Sequence, residues 1–214
     1  MKRFGLSILS SMFVLGLLVF MPLECGAEGQ KLTKLHIPLA EAKIEKRESV
    51  LEKSSGIKRQ VIARTFIGAN HDLDRYAALK FAEYVLDAST RFNVDPFIIA
   101  SMIIKESHVK YKAKSRRGAY GLMQINWKIH RTGLRASFHQ INSVSDLIQP
   151  KNNILAGTYI FASYLDSAKG DVSKALSRYL GSPGRKYRAS VMRYHGKMQR
   201  LYSFHMEQIM QQIS

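Results

Sequence analysis

The chain has 214 residues, 46% of them hydrophobic, and carries 33 Lys and Arg against 16 Asp and Glu, for a net charge of +17. That length suits a leader and one domain able to bury a real core. One cysteine, Cys25, excludes a disulfide scaffold, so stability has to come from packing. The charge favours acidic polymers as partners: nucleic acid, anionic lipid or bacterial envelope glycans.

The chain opens with Lys2 and Arg3, an apolar stretch from Phe4 to about Leu23, and the small-x-small triplet Cys25-Gly26-Ala27. This is the pattern of a cleaved secretory signal over 1–27, and an apolar stretch near twenty residues is also long enough for an uncleaved anchor. Lipid attachment to Cys25 would need a small residue before it, and Glu24 stands there. Export makes nucleic acid the least favoured of the three partner classes, and the expected location is the periplasm or cell envelope, with peripheral or no membrane contact. Residues 28–69 alternate in charge and are expected to form a solvated helix or tether.

From 70 to 214 the pattern is helical. The spacing places Leu73, Tyr76, Ala77, Phe81, Tyr84, Val85 and Ala88 on one face of a helix. In "NVDPFIIASMIIKES", Asp95 is an N-cap, Pro96 opens the helix, and Phe97 to Ile104 is apolar nearly all round, so this helix belongs inside the domain. A core helix follows Pro150, "DVSKALSRYL" makes a shorter one stopped by "GSPG", and 186–211 forms one or two basic terminal helices. No strand pattern is evident. The expected fold class is all-α.

Glu106 ends the apolar helix. From Ser107 to Ser145 there is no acid but eight Lys and Arg. Burial beside Met102, Ile103 and Ile104 and the negative end of the helix dipole both favour a protonated carboxyl, while the cations oppose it. Staying protonated near neutrality, as a general acid must, requires roughly 2.5 kcal/mol relative to a free glutamate. Composition alone reads such a residue as a surface ion pair. Its sequence neighbourhood points elsewhere.

"ESHVKYKAKS" is similar to the Glu-Ser signature of the lytic transglycosylases with a soluble-transglycosylase (goose-lysozyme-like) domain. "GAYGLMQIN" matches their Gly-Ala-x-Gly-Leu-Met-Gln block at the expected distance. "NNILAGTYI" and "ALSRYLGSPG" resemble their third and fourth blocks, so the resemblance covers about 78–190. The departures are Val109 for an aromatic, Tyr111 for a proline, and Leu180 for the Asn after Tyr179.

The resemblance implies a lysozyme-like domain over 70–214 that cleaves the MurNAc-β-1,4-GlcNAc bond of peptidoglycan and closes a 1,6-anhydro ring. It implies Glu106 as the single acid/base, Tyr179 against its carboxyl, Ser115 near it, and Gly121, Met123 and Gln124 lining the sugar cleft. It implies no cofactor, and service to a secretion, pilus or conjugation machinery is among the roles such domains take. A hydrolytic goose-type lysozyme and a non-catalytic wall-binding module are the alternatives. The residues agree on one point: ordinary glycosidases use two carboxylates, yet after Glu106 the acids are Asp146, Asp166, Asp171 and Glu207, none an obvious partner. The seven histidines show no metal-ligand spacing, and structural or surface roles are expected for them. Tyr120 and Trp127 are read either as sugar-stacking faces or as packing residues.

Overall fold

The computed structural model describes residues 29–213; the leader expected over 1–27 lies outside them. The chain divides into two units, Met1–Lys46 and Arg47–Ser214. No helix among the described residues is long and apolar enough to cross a membrane.

Helix α1 spans Gly29–Ala69. Its side chains from Lys43 to Ser49 are exposed, as alternating charge dictates. Further on, Val61, Ile62, Ala63, Thr65 and Phe66 are buried in the core. The packed unit therefore takes in the last turns of the segment expected as an extension over 28–69.

Helix α2 (Arg75–Phe92) starts at Asp74, whose Oδ1 accepts from the Ala77 N–H at 2.9 Å, and ends at Asn93 in the left-handed region. Its buried stripe is Ala78, Phe81, Ala82, Val85 and Ala88. Tyr76, expected inside, is 73% exposed. The helix is rotated so that Ala78 and Ala82, with Ala88 further on, face the core, which lets a neighbouring helix approach closely, and the bulky Tyr76 is turned to solvent.

Helix α3 (Pro96–Ser107) matches its sequence expectation: Asp95 accepts from the Phe97 N–H at 2.7 Å, and Phe97 through Ile104 are all buried. Each large apolar side chain among them contributes about 1.5–3 kcal/mol relative to exposure, which makes α3 the core of the fold. Two two-residue strands follow, β1 (Ala119–Tyr120) and β2 (Ile125–Asn126), antiparallel with Tyr120 opposite Ile125. Strands this short cannot display the alternation by which a strand is read from sequence.

The remaining helices are α4 (Trp127–Ser137), α5 (Val144–Leu147), α6 (Pro150–Ser167), α7 (Val172–Leu180) and α8 (Arg185–Ile213). The basic C-terminal region is thus one continuous helix. α8 packs on α3, α6 packs on both α2 and α7, and α2 packs on α3. Apart from the hairpin, the described fold is all-α and helical around a buried α3.

Candidate active site

Glu106 sits in the last turn of α3. His108 and Val109 both adopt positive φ, 51° and 60°, and turn the chain sharply off the helix just past it. A β-branched residue in that region is unusual and is held here because Val109 is buried and its carbonyl accepts from Asn70 Nδ2 at 3.4 Å. Val109, one of the departures from the family pattern, is thus a packing residue. Tyr111, another, lies edge-on to Phe81 at 6.3 Å.

The Glu106 carboxyl is half-buried, and its Oε1 accepts from the Tyr187 hydroxyl at 2.6 Å. Burial pushes the Glu106 pKa up; the Tyr187 hydrogen bond and the Lys105 ammonium pull it part of the way back, and the net shift is upward. Desolvation leads because the carboxyl is drawn in beside Tyr179 and the buried Tyr187, whereas the neighbouring Lys105 is exposed. Tyr187 is buried beside that carboxyl, and both facts push its hydroxyl pKa far upward, so it remains a donor at all physiological pH. Tyr187→Phe should therefore raise the Glu106 pKa further, a shift readable by NMR titration of labelled glutamate. A fall would mean that the hydroxyl does not stabilise the carboxylate.

Tyr187 was not singled out by the sequence; the family resemblance implied Tyr179 against the carboxyl, and burial and the nearby Glu106 charge both raise the Tyr179 pKa. In the structure the Tyr179 hydroxyl donates to the Met123 carbonyl at 2.8 Å, and its ring packs edge-on to Phe161 and Tyr164 at 6.2 and 6.4 Å. A signal for Tyr187 existed. Tyr187, Val191 and Met198 are buried on α8 and share one helical stripe, which marks an inward-facing tyrosine at the start of a basic helix.

The Gly-Leu-Met-Gln loop is held by a second network. Ser115 closes the turn before it: its Oγ accepts from the Ala119 N–H at 3.0 Å and its own N–H donates to the Ala119 carbonyl at 2.9 Å. Gly121 has φ of +79°, and a Cβ there would lie 2.2 Å from Asn153 Nδ2. Gln124 Nε2 donates to the carbonyls of Gly121 and Ala113 at 3.0 and 3.2 Å. Met123, expected to line the cleft, is 0% exposed. Its N–H donates to Asn153 Oδ1 at 2.8 Å, and its side chain packs over Gly157, where a Cβ would lie 2.4 Å from the sulfur. Met123 is a core residue because α6 presents a glycine that lets the thioether approach its backbone.

Asn153 is the second residue that sequence reasoning passed over. Buried on α6, it accepts from Met123 N and donates through Nδ2 to the Tyr120 and Leu147 carbonyls, each at 3.0 Å. It ties the loop to the rest of the domain. Leu180, the third departure, packs over Gly184, where a Cβ would meet its Cδ2 at 2.2 Å, so it shapes the turn leading to Tyr187.

Asp146 is occupied elsewhere. Its Oδ2 accepts from Ser143 Oγ at 2.8 Å and the Asn142 N–H at 3.0 Å, and these bonds, the hydroxyl first, lower its pKa. It stays ionised and belongs to the turn that opens α5.

The described residues thus form a helical domain with a half-buried glutamate of raised pKa at the end of its central helix, hydrogen-bonded by a buried tyrosine. The Transglycosylase SLT domain model matches residues 83–201, and the chain belongs to that family. It is 30% identical over 122 residues to the Transglycosylase of Enterobacteria phage PRD1, which covers 56% of this chain and 42% of that protein. It is 31% identical over 141 residues to the Membrane-bound lytic murein transglycosylase C of Photorhabdus laumondii, covering 64% of this chain and 36% of that one. The chain thus aligns with less than half the length of either relative.

Proposed function

We propose that this protein is a peptidoglycan lytic transglycosylase that cleaves the MurNAc-β-1,4-GlcNAc bond with Glu106 as its single acid/base. The observation that carries the reading is the Glu106 carboxyl itself: half-buried, raised in pKa, and oriented by Tyr187 at 2.6 Å. Family membership supplies the substrate class.

In this reading the protonated Glu106 gives its proton to the glycosidic oxygen as the bond to the muramic anomeric carbon breaks. The resulting carboxylate then takes the proton of the muramic 6-hydroxyl, whose oxygen attacks the same carbon and closes the 1,6-anhydro ring. The proton count balances and no water is consumed. Glu106 works first as acid and then as base, and Tyr187 donates to its carboxylate throughout. Asp146, the acid best placed by sequence to activate a water, is committed to its own turn.

Ser115, Gly121 and Gln124 belong to the loop that borders the sugar site in this reading, and Tyr179, on α7, braces that loop through the Met123 carbonyl. Met123 contributes as the loop's anchor. The leader pattern over 1–27 supports an exported, envelope location, and the net charge of +17 supports attraction to acidic wall polymers. Service to a secretion, pilus or conjugation machinery is supported by the family resemblance alone.

Digestion of purified murein sacculi followed by mass analysis tests the proposal. The expected muropeptides carry anhydromuramic ends, lighter than hydrolytic products by one water and without a reducing end to label. Borohydride-reducible products of hydrated mass would make the enzyme a lysozyme. Sacculus binding without turnover would make it a wall-binding module.

A further inference from the structure

We infer that His195 is a positioning residue: by bonding the cap of α3 it fixes α8 along α3 and so holds the Tyr187 hydroxyl on the Glu106 carboxyl. The inference rests on the reading of Glu106 as the acid/base.

Two side-chain hydrogen bonds join α3 and its cap to α8. One is Tyr187 to Glu106 at 2.6 Å, at the C-terminal end of α3. The other is His195 Nε2 to Asp95 Oδ2 at 2.9 Å, at its N-terminal end. The helices run antiparallel along a shared face, with Tyr187 at the C-terminal end of α3, His195 at its N-terminal cap, and Tyr202 further along α8 packed on Phe97 at 5.7 Å. The residues that α8 buries along that face, Val191 and Met198, are apolar. Apolar contacts resist separation but carry no direction, so they define the sliding and rotation of one helix on another only weakly. A hydrogen bond with a fixed donor and acceptor defines both.

Asp95 is suited to this task because its own position is fixed. Its Oδ1 is held by the Phe97 N–H at 2.7 Å as the N-cap of α3, which leaves Oδ2 aimed at His195. The His195 side chain is 12% exposed against 41% for Asp95, so the imidazole is clamped between the helices while the carboxylate stays hydrated enough to remain an acceptor. With its Nε2 carrying the proton, the ring donates to the Asp95 carboxylate, which can only accept. Arg188 also ties the first turn of α8, bonding Ser177 Oγ at 2.7 Å and the Pro183 carbonyl, but those partners belong to α7 and the turn after it. The His195 link refers α8 to the helix that carries Glu106.

A titration readout separates positioning from stability. The Tyr187 hydrogen bond lowers the Glu106 pKa, so any change that draws the hydroxyl away raises it; Lys105 and Tyr179, the other groups that sense this carboxyl, stay in place. In the full-length protein, glutamate-labelled NMR titration of Glu106 is combined with kcat and KM on murein for His195→Ala, His195→Gln, Tyr187→Phe and the His195→Ala/Tyr187→Phe double variant. His195→Ala is expected to raise the Glu106 pKa and lower kcat roughly fivefold at little-changed KM. His195→Gln, which keeps a terminal N–H donor at similar reach, should restore both. In the double variant the His195 change should add nothing to Tyr187→Phe, because both act on one hydrogen bond.

A His195→Ala protein that melts earlier but keeps the wild-type Glu106 titration and kcat would overturn the inference, as would losses that multiply in the double variant. Should His195→Ala fail to fold, His195→Asn, whose amide is too short for the bond, replaces it in every comparison. Wild-type protein without turnover would remove the proposed function, and the titration would still decide whether His195 positions Tyr187.

Discussion

Glu106→Gln should lower murein turnover by roughly 100-fold to 10,000-fold, the range typical of a lost general acid/base. Glutamine keeps the size of the side chain and an oxygen for the Tyr187 hydroxyl, yet it has no proton to deliver and no carboxylate to receive one. The same change should leave the fold intact, and linkage gives the sign of its effect on stability. The Glu106 pKa is raised in the folded protein, so between the unfolded and folded values the native state binds more protons than the unfolded chain. Stability from this group therefore falls as pH rises through that interval and stays lower above it. The glutamine variant should be as stable as wild type at low pH and gain relative to it as pH rises toward neutrality. Murein digestion and thermal melts between pH 4 and 8 check both halves. Turnover within a few-fold of wild type would remove Glu106 from the reaction, and a relative loss of stability toward neutrality would contradict its raised pKa.

The sequence carried much of this site because the relevant signals are local. Asp95, Pro96 and the apolar run to Ile104 define a buried helix within a dozen positions, and Glu106 follows from where that helix stops. The hydrogen bond that orients Glu106 was not legible, since Tyr187 lies far along the chain and meets it only when α8 packs on α3. Tyr179 belongs to a recognisable block and lies close enough to feel the Glu106 charge, although its hydroxyl donates to the Met123 carbonyl. The rotation of α2 was missed for a different reason. A tyrosine scores as apolar in a periodic pattern, whereas packing placed Ala78 and Ala82 at the interface and Tyr76 outside it. Burial of α1 from Val61 onward was hidden by the charged stretch before it. His195 had no spacing partner to advertise it, because its partner is a helix cap.

Asn153→Ala should cost about 3–5 kcal/mol of folding stability, among the largest losses expected from a single polar substitution in this domain. The side chain satisfies three backbone groups at once, the Met123 N–H and the Tyr120 and Leu147 carbonyls, at 2.8, 3.0 and 3.0 Å. Each buried group left without a partner costs on the order of 1–3 kcal/mol. For a domain of this size that corresponds to a melting temperature lower by roughly 10 °C. Asn153→Asp keeps the shape and discriminates the mechanism. A carboxylate still accepts from Met123 but turns an oxygen toward two carbonyl oxygens, so aspartate should be at least as destabilising as alanine near neutral pH. Gly121→Ala attacks the same contact from the loop side, since its Cβ would lie 2.2 Å from Asn153 Nδ2 at a φ of +79°. The two losses should not add: removing the Asn153 amide vacates the space that the methyl introduced by Gly121→Ala needs, leaving only the backbone strain of about 1 kcal/mol. Urea unfolding of the two single variants and the double variant measures the coupling. Additive losses, or an Asn153→Ala cost below about 1 kcal/mol, would mean that the Gly-Leu-Met-Gln loop is held to α6 by something other than this amide.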